Sequence, residues 1–137
     1  MADPVDAAEF EATLRRVLEQ DPRYRAEAYM FLLESLDHTI ESLGRKQRTG
    51  DDRHVSGPEL LEGVREVALE KFGFLAPGVF HQWGVRATLD FGEIVFNLVE
   101  ARLLKRRPED RKEDFRDVYD FREVFDRGFV ESFRWEE

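Results

Sequence analysis

FHQWGVRATLDFGEIVFNLVEARLLKRR, residues Phe80 to Arg107, decides the fold class. Pro77 can open a short helix that carries Val79, Phe80 and Trp83 and stops at Gly84. Thr88 then caps a longer helix, in which Phe91, Ile94, Val95, Leu98 and Val99 recur at helical spacing and Leu103 and Leu104 close the stripe. A short helix, a turn and a longer capped helix give residues 76–104 the outline of a helix-turn-helix, with no convincing strand inside it.

A DNA reader needs Arg, Lys, Asn or Gln on the exposed face of its second helix. The face offered here is Asp90, Glu93, Asn97 and Glu100, while Arg102, Lys105, Arg106 and Arg107 gather at the C-terminal end, where they complement the helix dipole without any ligand. Nucleic acid is therefore a disfavoured partner. The formal charge of −9 adds a mean field that repels phosphate.

Downstream, DFRDVYDFREVF, residues Asp114 to Phe125, is nearly one hexad written twice. Six residues rotate an ideal helix by about 600 degrees, so one continuous helix would place the second aromatic set about 120 degrees from the first. Asp120 with Glu123 three residues on resembles a capping box, which predicts a break and a new helix at Asp120, with each Asp before a Phe acting as a cap. The rival reading makes Asp114, Asp117, Asp120 and Glu123 a cation site, but ligands every third residue drift around a helix and no EF-hand pattern is present. In the tail, Phe129, Glu131, Phe133 and Trp135 alternate with Val130, Ser132 and Arg134, which allows a small C-terminal hairpin and hence a wing.

Upstream, Phe10, Leu14, Val17 and Leu18 mark an amphipathic first helix. Asp21-Pro22 predicts the start of a long helix that runs to Gly44 and presents Tyr24, Ala28, Phe31, Leu32, Leu36, Ile40 and Leu43, the expected central helix. Residues 45–55, RKQRTGDDRHV, read as the longest exposed loop. Ser56-Gly57-Pro58-Glu59 is a capping box that opens a third helix, ending at Gly73. The expectation is an all-α or α-dominated chain of about five to seven helices in one domain spanning residues 1–137, with 113–137 an aromatic-acidic C-terminal segment.

Zero cysteines remove disulfides and thiolate chemistry, and no segment nears the roughly 20 apolar residues of a membrane span, so a cytoplasmic protein is expected. Neither a GxSxG, a GxxxxGK[ST] nor a GxGxxG occurs, and His38, His54 and His81 complete no HExxH, so no cofactor and no metal are expected. Two chemical rivals stay open. A nucleic-acid or anion patch would join Arg45, Lys46 and Arg48 to Lys105, Arg106 and Arg107; a carboxylate enzyme would bring Glu34, Asp37 or Glu93 to His38 or His81.

The strings DPRYRAEAYMFLLESL, RHVSGPELLEG, WGVRATLDFGEIVFNLVEARLL and EDFRDVYDF together carry a resemblance, over roughly residues 20–125. The chain resembles an uncharacterised small bacterial protein family of the Planctomycetes and Verrucomicrobia. The resemblance implies a bacterial cytoplasmic setting and brings no activity, substrate or catalytic residue.

Twelve Phe in an acidic chain with no nucleophile pattern favour a non-enzymatic interaction or regulatory module. Its expected surface is Phe121, Phe125, Phe129, Phe133 and Trp135, its partner an unidentified protein or a second copy of the chain, and not a membrane.

Overall fold

The structure, a computed structural model, describes residues 7–45 and 54–132, with residues 127–132 as backbone alone. Six α-helices carry the chain: α1 (Ala7–Gln20), α2 (Ala26–Ser42), α3 (Gly57–Phe72), α4 (Ala76–Gln82), α5 (Thr88–Glu100) and α6 (Phe121–Ser132), with 3-10 turns at Gly73–Leu75 and Lys112–Phe115. No strand occurs among the described residues, so the all-α expectation holds.

Both α2, as expected, and α5 lie in the core, and α5 is the more enclosed of the two. In α5 only Glu100 is exposed, and Phe91, Ile94 and Leu98 are fully buried. By contrast α2 keeps a wet face through Glu27, Met30, Glu34 and Asp37, with Met30 half exposed. The difference follows from composition: the α5 stripe is flanked by Gly92 and by polar side chains that find partners, whereas one side of α2 carries carboxylates that must stay in water. Against α2 lies α3, so close at Gly63 that an added Cβ would stand 1.7 Å from Thr39 Oγ1. The buried hydroxyls on that seam are satisfied within α2, since Ser35 Oγ donates to the Phe31 carbonyl at 2.9 Å and Thr39 Oγ1 to that of Ser35 at 2.7 Å.

Helix ends follow local chemistry where no distant group competes. The Ser56 hydroxyl accepts from the Glu59 amide at 3.2 Å and the Glu59 carboxylate from the Ser56 amide at 3.0 Å, the reciprocal box. At the end of α4, the Gly84 amide donates to the His81 carbonyl and the Val85 amide to that of Phe80, a Schellman closure with Gly84 at φ 89°. The same closure ends α5, but Arg102 holds its left-handed position at φ 63°.

Two expected caps are drawn into tertiary contacts instead. Asp21 does not start α2, which begins at Ala26, because its carboxylate accepts from Arg23 and, across the fold, from Asn97. The intervening turn buries Tyr24 and lets the Arg25 amide donate to the Trp83 carbonyl at 3.1 Å. Nor does Thr88 cap α5: Asp90 reaches back to the Arg86 and Ala87 amides, at 2.8 and 3.1 Å. Thr88 Oγ1 donates to the Phe115 carbonyl at 2.6 Å and accepts from the Val118 amide at 3.2 Å, tying α5 to the hexad segment. Thr88→Val keeps the shape and strands both backbone groups, so it is expected to cost about 1–3 kcal/mol by chemical denaturation. Thr88→Ser should recover most of that; equal stability of Thr88→Val and wild type would contradict the bridge.

The hexads are broken where expected. The first is a 3-10 turn followed by extended Arg116 and left-handed Asp117, and the Asp120 carboxylate then accepts from the Glu123 amide at 3.1 Å to start α6. Asp114, however, looks backward to the Arg111 amide and caps nothing after it. The expected hairpin is corrected, because Phe129–Ser132 belong to α6; Phe133 and Trp135 lie outside the described residues. Phe121 and Phe125, expected on an interaction surface, are core residues at 7% and 0% exposure. Capping at Asp120 points both rings inward, against Phe80 at centroid distances of 5.0 and 5.6 Å. Phe129 lies in α6, in the part given as backbone alone.

Candidate functional site

The acids once expected on the outer face of α5 are the ones that hold the fold. Asp90 accepts from the Tyr24 hydroxyl at 2.5 Å, Glu93 pairs with both Arg23 and Lys112 at 3.1 Å, and the Asn97 amide donates to Asp21 and to the Tyr29 hydroxyl. Arg23 clamps Asp21 with two bonds of 2.8 Å and so holds that carboxyl well below the usual carboxylate range, against the opposing effect of burial. Burial, reinforced by Asp90, pushes the Tyr24 phenol up and keeps it a donor. Every member of this network faces another, which makes it a strut between α5 and the turn before α2 rather than a place for chemistry.

The sequence's candidate histidines and acids do not converge. Glu34 pairs with Lys71 at 2.9 Å, His38 lies 3.4 Å from Glu66 on the surface, and Asp37 is exposed. No three groups able to hold a metal ion come together among the described residues. A closer and more buried histidine-carboxylate contact forms unforeseen: His54 Nε2 stands 2.7 Å from Asp110 Oδ2, and both side chains are mostly buried. Burial pushes the His54 imidazole down from its ordinary range, against the opposing pull of Asp110. Ser56 lines the same small cleft, but its Oγ already accepts from Glu59.

The basic residues split. Arg45 is half-buried and spends its guanidinium on the His54 carbonyl at 2.8 Å and Glu59 at 3.0 Å, so it is a brace and not an anion ligand. Lys46 and Arg48 lie outside the described residues. Arg106 donates to the Asp110 carbonyl and lies over the Phe96 ring, and Arg107 pairs with Glu109 at 3.2 Å. Lys105 is exposed.

A larger opening lies elsewhere, between α4 and the start of α6. It is a groove of about 500 Å³ with Val85 and Phe121 as apolar floor and His81, Arg86, Asp120 and Arg122 around it, within the range of functional clefts. It continues past Arg86, Asp120 and Phe121 into a hollow of about 230 Å³ beside Asp117 and Tyr119. Among the described residues Arg86 and Arg122 have no side-chain hydrogen bond or ion pair, while one Asp120 oxygen is turned to its cap. Three ordinary features build this site: the Schellman turn that aims Val85 inward and frees Arg86, the Asp120 cap that fixes Arg122 in the first turn of α6, and the 3-10 break that brings both together. The sequence signals the two turns, but not that they meet. No helix among the described residues is long and apolar enough to cross a membrane. No family model, curated protein or solved structure matches the chain.

Proposed function

We propose that the protein is a non-enzymatic interaction module that docks an acidic segment of a partner protein in the groove between α4 and α6. The observation that carries the reading is the pair Arg86 and Arg122, exposed, free of ion pairs among the described residues and set around an apolar floor in a chain of formal charge −9. A guanidinium binds a carboxylate through two parallel bonds, and such contacts over Val85 and Phe121 combine direction with desolvation. The polar groups of the larger groove, His81, Arg86, Asp120 and Arg122, are dominated by the two guanidiniums, which suits recognition of an anionic segment. A nucleic-acid reading has less support, because α5 exposes only Glu100 and leaves no helix face for a base edge. The net acidity of the chain opposes an acidic partner at long range, so association should be slow to start and held by short contacts.

A fluorescein-labelled peptide of glutamates interrupted by leucine and phenylalanine tests this by anisotropy at low salt. It should bind with a micromolar dissociation constant, and the double variant Arg86→Glu with Arg122→Glu should weaken it at least about tenfold at unchanged helicity, since losing one charged hydrogen bond costs about 1.5–3 kcal/mol. Equal binding to both proteins, or preference for the lysine version of the peptide, would refute the assignment. Binding of a single-stranded oligonucleotide that depends on the same arginines would replace the peptide by nucleic acid.

A further inference from the structure

We infer that the cleft between the starts of α3 and the 104–110 segment is a second, separate binding site, fitted to a short-chain carboxylate of about two to four carbons. Its inner wall is apolar, formed by Leu36, Ile40, Leu60, Val95, Leu104 and Phe115 from five different parts of the fold. Its mouth is polar and mainly cationic, with Lys105 and Arg106 beside His54 and Asp110. An apolar recess beneath a cationic rim matches a ligand with a small hydrocarbon tail and an anionic head.

Size sets the tail. The cleft measures about 60 Å³, less than half of a 150 Å³ cavity that accepts benzene. An ethyl or propyl group fits; a ring does not. Water is a poor filling, because a buried water needs two to four polar partners and this wall supplies almost none.

The rim supplies the head's partners. His54 Nε2 is buried and makes no aligned hydrogen bond, although Asp110 Oδ2 stands 2.7 Å away. Lys105 is exposed at the mouth with no ion pair among the described residues, and Arg106 offers the guanidinium edge not used on the Asp110 carbonyl. Asp110 repels a carboxylate, and its oxygen is already engaged by the Arg107 amide at 2.8 Å. The two cations outweigh that single acid and place the head on the Lys105 side.

Titrating the full ¹⁵N-labelled chain with sodium propionate, against sodium chloride at equal ionic strength, tests the site. Saturable amide shifts should appear at Val55, Leu104 and Lys105 with a millimolar dissociation constant, reasonable for so small a ligand. Formate, with no tail, and benzoate, with a ring, should each bind at least about tenfold more weakly. Lys105→Gln, at an exposed position that leaves the fold alone, should weaken propionate several-fold, and Leu104→Phe should abolish binding by filling the recess. Shifts that never saturate, equal response to formate, or unchanged affinity in Lys105→Gln would each overturn the assignment, and none of them bears on the groove at Arg86 and Arg122.

Discussion

Gly84→Ala is expected to destabilise the protein by about 3–5 kcal/mol and to lower its thermal midpoint by roughly 10–20 °C. Gly84 sits at φ 89°, where a side chain is strained, and an alanine Cβ there would stand 2.0 Å from the Arg23 carbonyl oxygen. The offending atom is backbone, so it cannot swing aside. It belongs to the turn before α2, which the Arg25 amide fastens to the Trp83 carbonyl and which Arg23 fastens to Asp21 and Glu93. Relief of the clash therefore pulls apart the strut between that turn and α5, or opens the Schellman closure that buries Val85. Gly78→Ala is the matched control. It lies inside α4 with open space around its Cβ and should gain up to about 1 kcal/mol of stability. Circular dichroism melts of the two variants should move in opposite directions. A drop below about 5 °C for Gly84→Ala would mean that the two turns separate easily and do not fix the groove wall.

The contrast between those glycines bears on how much could be read from the chain alone. Ends of helices written in residues with one conformational use were legible: Gly44, Gly73 and Gly84 close helices, and Ser56 with Glu59 opens one. The end of α5 carried no such mark, because Arg102 occupies the left-handed position that glycine usually takes. Asp21 and Thr88 were misassigned for a different reason. Both are cap formers by chemistry, but Thr88 is drawn to the distant Phe115 carbonyl, and Asp21 closes a turn on the Arg23 amide and guanidinium while also accepting from the distant Asn97. The same blindness hid the sites. Asp90, Glu93 and Asn97 show helical spacing that looks like an outer face, and only the fold reveals Tyr24, Arg23 and Tyr29 opposite them. Nothing local joins His54 to Asp110 or Arg86 to Arg122, since spacing reports neighbours on one element and a groove is made by two.

Phe80→Ala is expected to cost about 3–5 kcal/mol, a large share of the 5–15 kcal/mol that holds a typical domain together. The ring is fully buried and lies 5.6 Å from Phe31 of α2, 5.2 Å from Phe91 of α5, and 5.0 and 5.6 Å from Phe121 and Phe125 of α6. Its pairs with Phe91, Phe121 and Phe125 are edge-on, the arrangement in which ring quadrupoles attract. Three helices thus meet on one side chain of the short α4, which makes too few turns to be stable alone. Removing it leaves a cavity that neighbours from separate helices cannot close together. The second hexad supplies two of those neighbours, so the variant also tests what the repeat is for. If Phe121 and Phe125 serve packing, a double-mutant cycle of Phe80→Ala with Phe125→Ala should give a coupling of about 1 kcal/mol or more, against nearly none for Phe80→Ala with Leu14→Ala. Hydrogen exchange should in addition quicken first in α6, which the ring cluster anchors. A Phe80→Ala cost under about 1 kcal/mol, with no coupling to Phe125, would contradict the packing role of the hexad aromatics.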